Sequence, residues 1–515
     1  LYVMDLTVLH LAVPKLSADL RPTSAQLLWI IDIYGFVVAG SLITMGTLGD
    51  RIGRRRLLMI GAAAFGIVSV MAAFSTSAGM LIASRALMGV AGATLAPSTL
   101  SLIFNMFQDP KQRSIAIGWW IASFSAGSAV GPLAGGVMLE YFWWGSVFLL
   151  ALPVMATLLV LGPRVLPEYR DPEAGRLDLR SAGMSLAAVL AVIFGLKEIA
   201  QDGIGWLAVV TIPAGVAIAI AFVRRQASLE DPLIDTRLFR IPAFSGSLLT
   251  YFLSIFVVVG YFLFVAQYLQ LVLGLTPLTA GLWSLPSAAG FTIGSTLGPR
   301  LLNRFRPGRV MTIGLLVAAV GLGLLLGVGG SSSLAMLVTG SVVISLGLAP
   351  VITLATELVV GSAPPEKAGA ASGISETAGE FGGALGLAIL GSIGTAVYRS
   401  EVARALPPGI PTEVAEAARD TLGAAVNVAG QLPEDLAAQL LAVARQAFTN
   451  GLRITVAIST VMAVGIAVLA AILLRDISRS SEPDDPSSPE KAEPSNAGIS
   501  PEMAFGGPVV AHEAP

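Results

Sequence analysis

Six charged residues stand well inside long apolar runs: Asp5, Asp32, Arg85, Glu357, Glu376 and Glu380. A charge at membrane depth costs roughly 2.5–3.5 kcal/mol even on the lenient insertion scale, so such residues need a reason to be there. Glu376 and Glu380 are spaced i, i+4, which puts both carboxylates on one helix face. Two carboxylates that close in a low dielectric cannot both stay ionised, and sharing a proton is what a proton carrier or a cation site requires. At 1.5 Å rise per residue they lie about 13 and about 19 Å from the inner end of their helix, and Asp5 on the order of 15 Å from the outer end of its own. Asp32 lies nearer the outer surface and Glu357 nearer the inner one, and a structural ion pair is the competing reading for both. Arg85 must have an anionic partner, and Asp32 and Asp5 are the candidates at its level. Glu198, beside Lys197, reads as interfacial.

The elements that position these charges are membrane helices. Hydrophobic residues make up 55% of the chain and charged ones 12%, with a mean hydropathy of +0.79; soluble domains carry about 25% charged residues. Cysteine is absent and the histidines are His10 and His512, which excludes thiolate or histidine-cluster metal sites and most histidine general-base enzymes. Runs long enough to cross a bilayer fall at about 1–15, 27–48, 57–75, 78–106, 112–139, 143–162, 180–199, 206–223, 243–273, 277–298, 309–328, 333–360, 367–397 and 452–475. That is fourteen spans. The first is short and the chain opens without Met in the middle of it, so part of helix 1 is expected to precede residue 1. Residues 398–450 are expected to form an external helical hairpin with amphipathic stretches at 412–428 and 433–449. Residues 476–515, rich in Pro, Ser and Glu, are expected to be a disordered tail.

Loop charge sets the orientation. Basic residues follow the even-numbered spans, at Arg51–Arg56, Lys111 and Arg113, Arg164–Arg180, Arg224–Arg240, Arg300–Arg309 and Lys367. By the positive-inside rule these loops and both termini are cytoplasmic. The preference for Arg over Lys points to a GC-rich bacterial genome, hence to the bacterial cytoplasmic (inner) membrane.

Two motifs stand out. Gly46-Thr47-Leu48-Gly49-Asp50-Arg51-Ile52-Gly53-Arg54-Arg55-Arg56 is a tight polar loop between the second and third spans. Its worn copy, Asn303-Arg304-Phe305-Arg306-Pro307-Gly308-Arg309, recurs in the second half, and Trp29 and Trp283 match ahead of the two. The fifth span holds Gly118 and then Gly127-Ser128-Ala129-Val130-Gly131-Pro132-Leu133-Ala134-Gly135-Gly136. Gly127, Gly131 and Gly135 recur every four residues and would form one stripe for close helix contact, while Pro132 removes a backbone hydrogen bond. Tyr34, Trp119, Trp120, Phe124, Tyr251, Tyr261, Phe264, Tyr268, Trp283 and Phe291 are the aromatics that could hold a cation by cation–π contact.

The Asp50 loop resembles that between the second and third helices of the major facilitator superfamily. The Gly118–Gly136 string is similar to the signature of that superfamily's drug-exporting antiporters. With Met4-Asp5-Leu6-Thr7, Trp29 to Tyr34, Arg85 and Ser375 to Glu380, the resemblance extends to the fourteen-helix drug:proton antiporters, in particular the QacA-like quaternary-ammonium and dye exporters. It implies an all-α membrane fold of two six-helix bundles, residues 1–162 and 243–475, with two helices inserted in the 163–242 linker. It implies roles for Asp5, Asp32, Glu376 and Glu380 in proton coupling and cation recognition, with Arg85 beside the proton site. Gly46, Asp50, Arg51, Gly53 and Arg54 would act as a cytoplasmic gating loop. Some members carry an acid in helix 10 where this chain has Phe291; Glu357, on another helix, is the candidate to supply that charge.

The expected function is proton-driven export of lipophilic cations by alternating access, through a monomer. It needs the bilayer and a proton gradient, with no cofactor, no metal and no nucleic acid. A dedicated exporter of a natural product or lipid, and a proton-coupled uptake facilitator, are the alternatives; an enzyme is not expected.

Overall fold

The computed structural model describes residues 2–22, 24–170, 178–202, 205–229, 232–302, 304–329, 333–475 and 477. The expected tail, apart from Ile477, lies outside them. Among the described residues the chain is helical throughout and contains no strand. The expected apolar windows fall largely on helix, and among the described residues eleven helices are long and apolar enough to cross a membrane.

The first half consists of α1 (Tyr2–Leu20), α2 (Ser24–Ile52), α3 (Arg54–Ala73), α4 (Ala78–Gly92), α5 (Leu95–Met106), α6 (Pro110–Tyr141), α7 (Ser146–Leu149) and α8 (Ala151–Val165). Starts follow capping chemistry. The Ser77 hydroxyl accepts the Met80 N–H at the head of α4, and Asp109 with Pro110 opens α6. Leu9, Leu16, Tyr34, Leu42, Phe65, Met88 and Phe148 close one apolar core. A hairpin of α9 (Leu179–Asp202) and α10 (Trp206–Gln226) follows and packs against α2. Ahead of α9, the Ser181 hydroxyl and then the Arg225 guanidinium (2.6 Å) hold the Asp178 carboxyl down at about 2.

The second half holds α11 (Pro242–Gln267), α12 (Pro277–Leu301), α13 (Pro307–Leu325), α14 (Ser333–Gly361), α15 (Ala368–Gly386), α16 (Ser392–Ala405), α17 (Thr412–Asp420), α18 (Leu422–Ala429) and α19 (Glu434–Leu473). Wider π turns continue α11 at Tyr268–Val272 and join α15 to α16 at Leu387–Gly391. A larger core gathers Tyr261, Met311, Leu315, Leu325, Leu390 and Leu452.

The external hairpin differs from expectation. Its second arm does not stop before the last membrane helix: α19 runs unbroken for 40 residues from Glu434. The first arm breaks at Thr421, whose hydroxyl caps α18. The hairpin is anchored, with Val414, Ala418, Leu422 and Leu440 in the second core, and the Tyr398 hydroxyl donates to the Ala418 carbonyl at 2.7 Å. Two seams join the halves: α2 lies along α15 and α6 along α12.

Candidate functional site

Where the second and third helices meet, charges lock one half to the other. Asp50 ends α2 and Arg54 begins α3, with Gly53 between them at φ +109°, a conformation only glycine adopts freely. Asp50 Oδ1 accepts from Arg54 Nε at 2.9 Å and from the Gly369 N–H at 3.1 Å, while Oδ2 accepts from the Ala370 N–H at 3.0 Å. The carboxylate thus sits on the positive end of α15. Arg54, fully buried, donates across the seam to the carbonyls of Pro365 (2.8 Å) and Glu366 (3.1 Å). The backbones must nearly touch for this. A Cβ on Gly46 would fall 2.2 Å from the Gly369 carbonyl oxygen, and one on Gly369 would fall 2.4 Å from Asp50 Oδ1.

The linkers on either side of the inserted hairpin join this latch. Glu168 accepts the N–H groups of Arg55 and Arg56 at 3.1 Å each, capping α3, and the Tyr169 ring lies 4.8 Å under the Arg54 guanidinium. On the other side Thr47 donates to the Leu233 carbonyl at 3.1 Å, and Lys367 pairs with Asp235 at 3.3 Å. Burial raises the Asp235 carboxyl, but the Arg237 N–H and the Lys367 ammonium outweigh it and leave it below its ordinary value. Arg51 lines a small cleft there with Pro232 and Glu366.

Glu376 and Glu380 stand seven and eleven residues along α15 from Gly369, about 10 and about 16 Å above the latch. Both line a cavity of about 220 Å³ at the seam. Its other walls are Val38 and Leu42 of α2, Leu95 and Thr99 of α5, and Trp120, Phe124 and Gly127 of α6. Trp120 is held in place: its indole N–H donates to the Thr99 hydroxyl at 3.0 Å, and its ring meets Phe124 edge-on with centroids 4.8 Å apart. Two carboxylates and two aromatic faces in one apolar cavity are what a lipophilic cation needs.

The remaining acids are held elsewhere. Arg85 is fully buried and pairs with Asp5 at 3.0 Å, with the rings of Tyr34 and Phe148 at 5.2 and 5.9 Å. Asp32 is therefore not its partner. Asp32 forms an ion pair with Lys197 of α9, a residue whose position in an apolar run carried the same signal as the acids and went unread. Glu357 is not among the residues that line the cavity. It accepts from Ser114 and ties α14 to α6 toward the latch end.

The glycines of α6 also divide. Gly127 faces the cavity and Gly131 is buried, but a Cβ on Gly135 would meet Val8 of α1 in its own half. Gly136 faces open space, and the side chain of Pro132 lies outside the described residues. The close approach between halves falls at Gly118, where a Cβ would lie 2.6 Å from the Ser295 carbonyl of α12. Of the expected stripe, Gly127 is thus a cavity wall and Gly135 a contact within the first half, while the close approach to the other half falls outside the stripe, at Gly118. Among the aromatics, Trp119 is 62% exposed, while Tyr261, Trp283 and Phe291 line a separate cavity of about 130 Å³ in the second half.

The description of the Major Facilitator Superfamily matches residues 1–387. The chain belongs to the major facilitator superfamily. Within it, the chain is 44% identical over 475 residues to the multidrug efflux pump LfrA of Mycolicibacterium smegmatis, covering 92% of this chain and 94% of that one. It is 35% identical to the methyl viologen resistance protein SmvA of Salmonella typhimurium, over 86% of this chain and 90% of that one. It is 31% identical to the tetracenomycin C resistance and export protein of Streptomyces glaucescens, over 94% and 90%. The crystal structure of the human organic anion transporter MFSD10 shares the fold, with a TM-score of 0.58 at 18% identity over 92% of this chain and 96% of that one. The Asp50 cluster and the Glu376/Glu380 cavity lie along one seam, that between α2 and α15. The protein is thus a multi-pass membrane transporter whose relatives confer efflux and resistance.

Proposed function

We propose that the protein is a proton-coupled antiporter that exports lipophilic cations, quaternary ammonium compounds and dyes among them, across the bacterial cytoplasmic membrane. On this reading it has fourteen membrane helices in the QacA-like arrangement, two six-helix bundles and the inserted α9–α10 pair, with both termini cytoplasmic. The observation that carries it is the seam cavity in which Glu376 and Glu380 face Trp120 and Phe124. The latch end is the cytoplasmic end, because the basic loops lie there. It is shut by Asp50 and Arg54. At the other end α12 stands clear, with Gly281 to Pro286 exposed on every side of the helix. That combination is an outward-facing state. Protons arriving from outside neutralise the carboxylates and release the cation outward. The latch then opens, the protons leave to the cytoplasm, and a new cation takes their place. Closure around an occupied site and closure around a protonated one are the two allowed transits.

Everted vesicles test this. Imposing an acid-inside gradient should drive ethidium into them, and collapsing the gradient should release it. Ethidium accumulation indifferent to the gradient would contradict the coupling. A dedicated natural-product exporter is the second reading, favoured by the similarity to the tetracenomycin C export protein; transport of a single polyketide and of no dye would select it.

A further inference from the structure

The cavity of about 130 Å³ in the second half has a chemistry opposite to that of the seam. Trp283, Ser287 and Phe291 recur every four residues and line it along one face of α12; Ser341 and Ser345 line it at the same spacing on α14, and Tyr261 from α11. Tyr261 is fully buried and Trp283 is 42% exposed, so the lining runs from the interior of this half to its surface. Ser287 and Ser345 share a hydrogen bond at 2.8 Å. Tyr261 reaches toward Ser287 and Ser341, yet neither its hydroxyl nor the buried Ser341 Oγ meets a partner in hydrogen-bond geometry. Each hydroxyl can both donate and accept, and a buried polar group left unpaired is the exception in a folded protein. No charged residue lines the cavity. A cation entering it would lose water and gain no counter-charge, whereas an aromatic ring meets Trp283 and Phe291 and a hydroxyl answers Tyr261 and Ser341.

We propose that this cavity is a second ligand site, specific for an uncharged phenol: a molecule of one or two aromatic rings whose hydroxyl bridges Tyr261 and Ser341. All three helices that build it belong to the second half, so it is complete without the α2–α15 seam and without Glu376 or Glu380. The seam selects by charge and this cavity by a hydroxyl. Because its two orphan hydroxyls gain a partner only from the ligand, an analogue lacking the hydroxyl should lose most of the affinity.

The probe is 2-naphthol, with naphthalene as the analogue. Binding to the full chain is measured by equilibrium dialysis with the same detergent concentration on both sides. The wild type should bind one saturable equivalent of 2-naphthol. Tyr261→Phe and Ser341→Ala should each weaken it by about tenfold while leaving the weaker binding of naphthalene unchanged, and Ala288→Phe, which fills the cavity, should abolish both. Tyr261→Phe removes a hydroxyl without a partner, so its melting midpoint without ligand should not fall; Ser341→Ala carries the test if it does. The Glu376→Gln/Glu380→Gln double variant should bind 2-naphthol as the wild type does, which separates this site from the export reading, since that reading concerns the seam alone. No saturable binding to the wild type would mean that the cavity holds water only and would overturn the inference. So would an affinity unchanged in both hydroxyl variants, or binding lost in the double variant.

Discussion

The latch and the cavity use the same ingredients to opposite ends. Each has acid on a helix at the α2–α15 seam, an aromatic ring and closely packed glycines. At the latch, Asp50 receives donors from both halves, and Arg54 reaches carbonyls on the far side. Asp50 and Arg54 are each met by backbone groups across the seam, which fixes the geometry of the pair. In the cavity, Glu376 and Glu380 face a space shaped by Trp120 and Phe124. At the latch the acid meets helix N–H groups across the seam; in the cavity the two acids line a space of about 220 Å³. The position of an acid relative to helix N-termini, more than its depth, separates the two.

The largest effect that would sharpen this contrast is at the cavity. Glu380→Gln should reduce dye export to the level of cells lacking the protein while membrane expression holds, because Glu380 lines the cavity and a carboxylate at membrane depth marks a functional site. Full ethidium efflux by that variant would remove Glu380 from the site. Next comes the latch, where Asp50→Asn leaves Arg54 fully buried without its anion. Breaking a buried pair this way costs roughly 3–5 kcal/mol, so thermal unfolding in detergent should show a marked loss, and an unchanged midpoint would mean the latch bears no load.

Close approach gives the third test. Gly118→Leu should stop turnover with cation binding retained, since its side chain would run into the Ser295 carbonyl. Gly136→Leu, which faces open space, should transport normally. Equal behaviour of the two would erase the distinction between seam and free face. The smallest effect is at the α9–α10 hairpin. Asp178, held at about 2 by Ser181 and Arg225, contributes stability that is fully present above the ordinary aspartate range near ~4 and lost as pH falls toward 2. Asp178→Asn should cost about 1 kcal/mol or less at neutral pH, and the gap between the two melting curves should close through that window. A gap that is constant with pH would assign the effect to packing.

Much of the fold was legible because membrane helices announce themselves by apolar length, and Glu376 and Glu380 because i, i+4 spacing fixes their shared face. The Asp50 motif marked a tight loop, but nothing local tells that its carboxylate lands on the N–H groups of Gly369 and Ala370, more than 300 positions away. Arg85 demanded an acid without choosing between Asp5 and Asp32; the choice turns on Lys197, whose claim on Asp32 depends on where the inserted hairpin docks. The glycine periodicity of α6 fixed a face but not what lies against it, which is α1 at Gly135; the contact with α12 comes at Gly118, outside that periodicity. Glu168 and Leu233 were invisible as latch parts, because linker residues carry no periodic signal at all.

The central claim is that cation and proton exchange at the same carboxylates. It is tested most directly by adding tetraphenylphosphonium to the purified protein in weak buffer and recording the pH. Binding should expel protons from the wild type, and the Glu376→Gln/Glu380→Gln double variant should release none. Cation binding without proton release, or release undiminished in the double variant, would contradict the account.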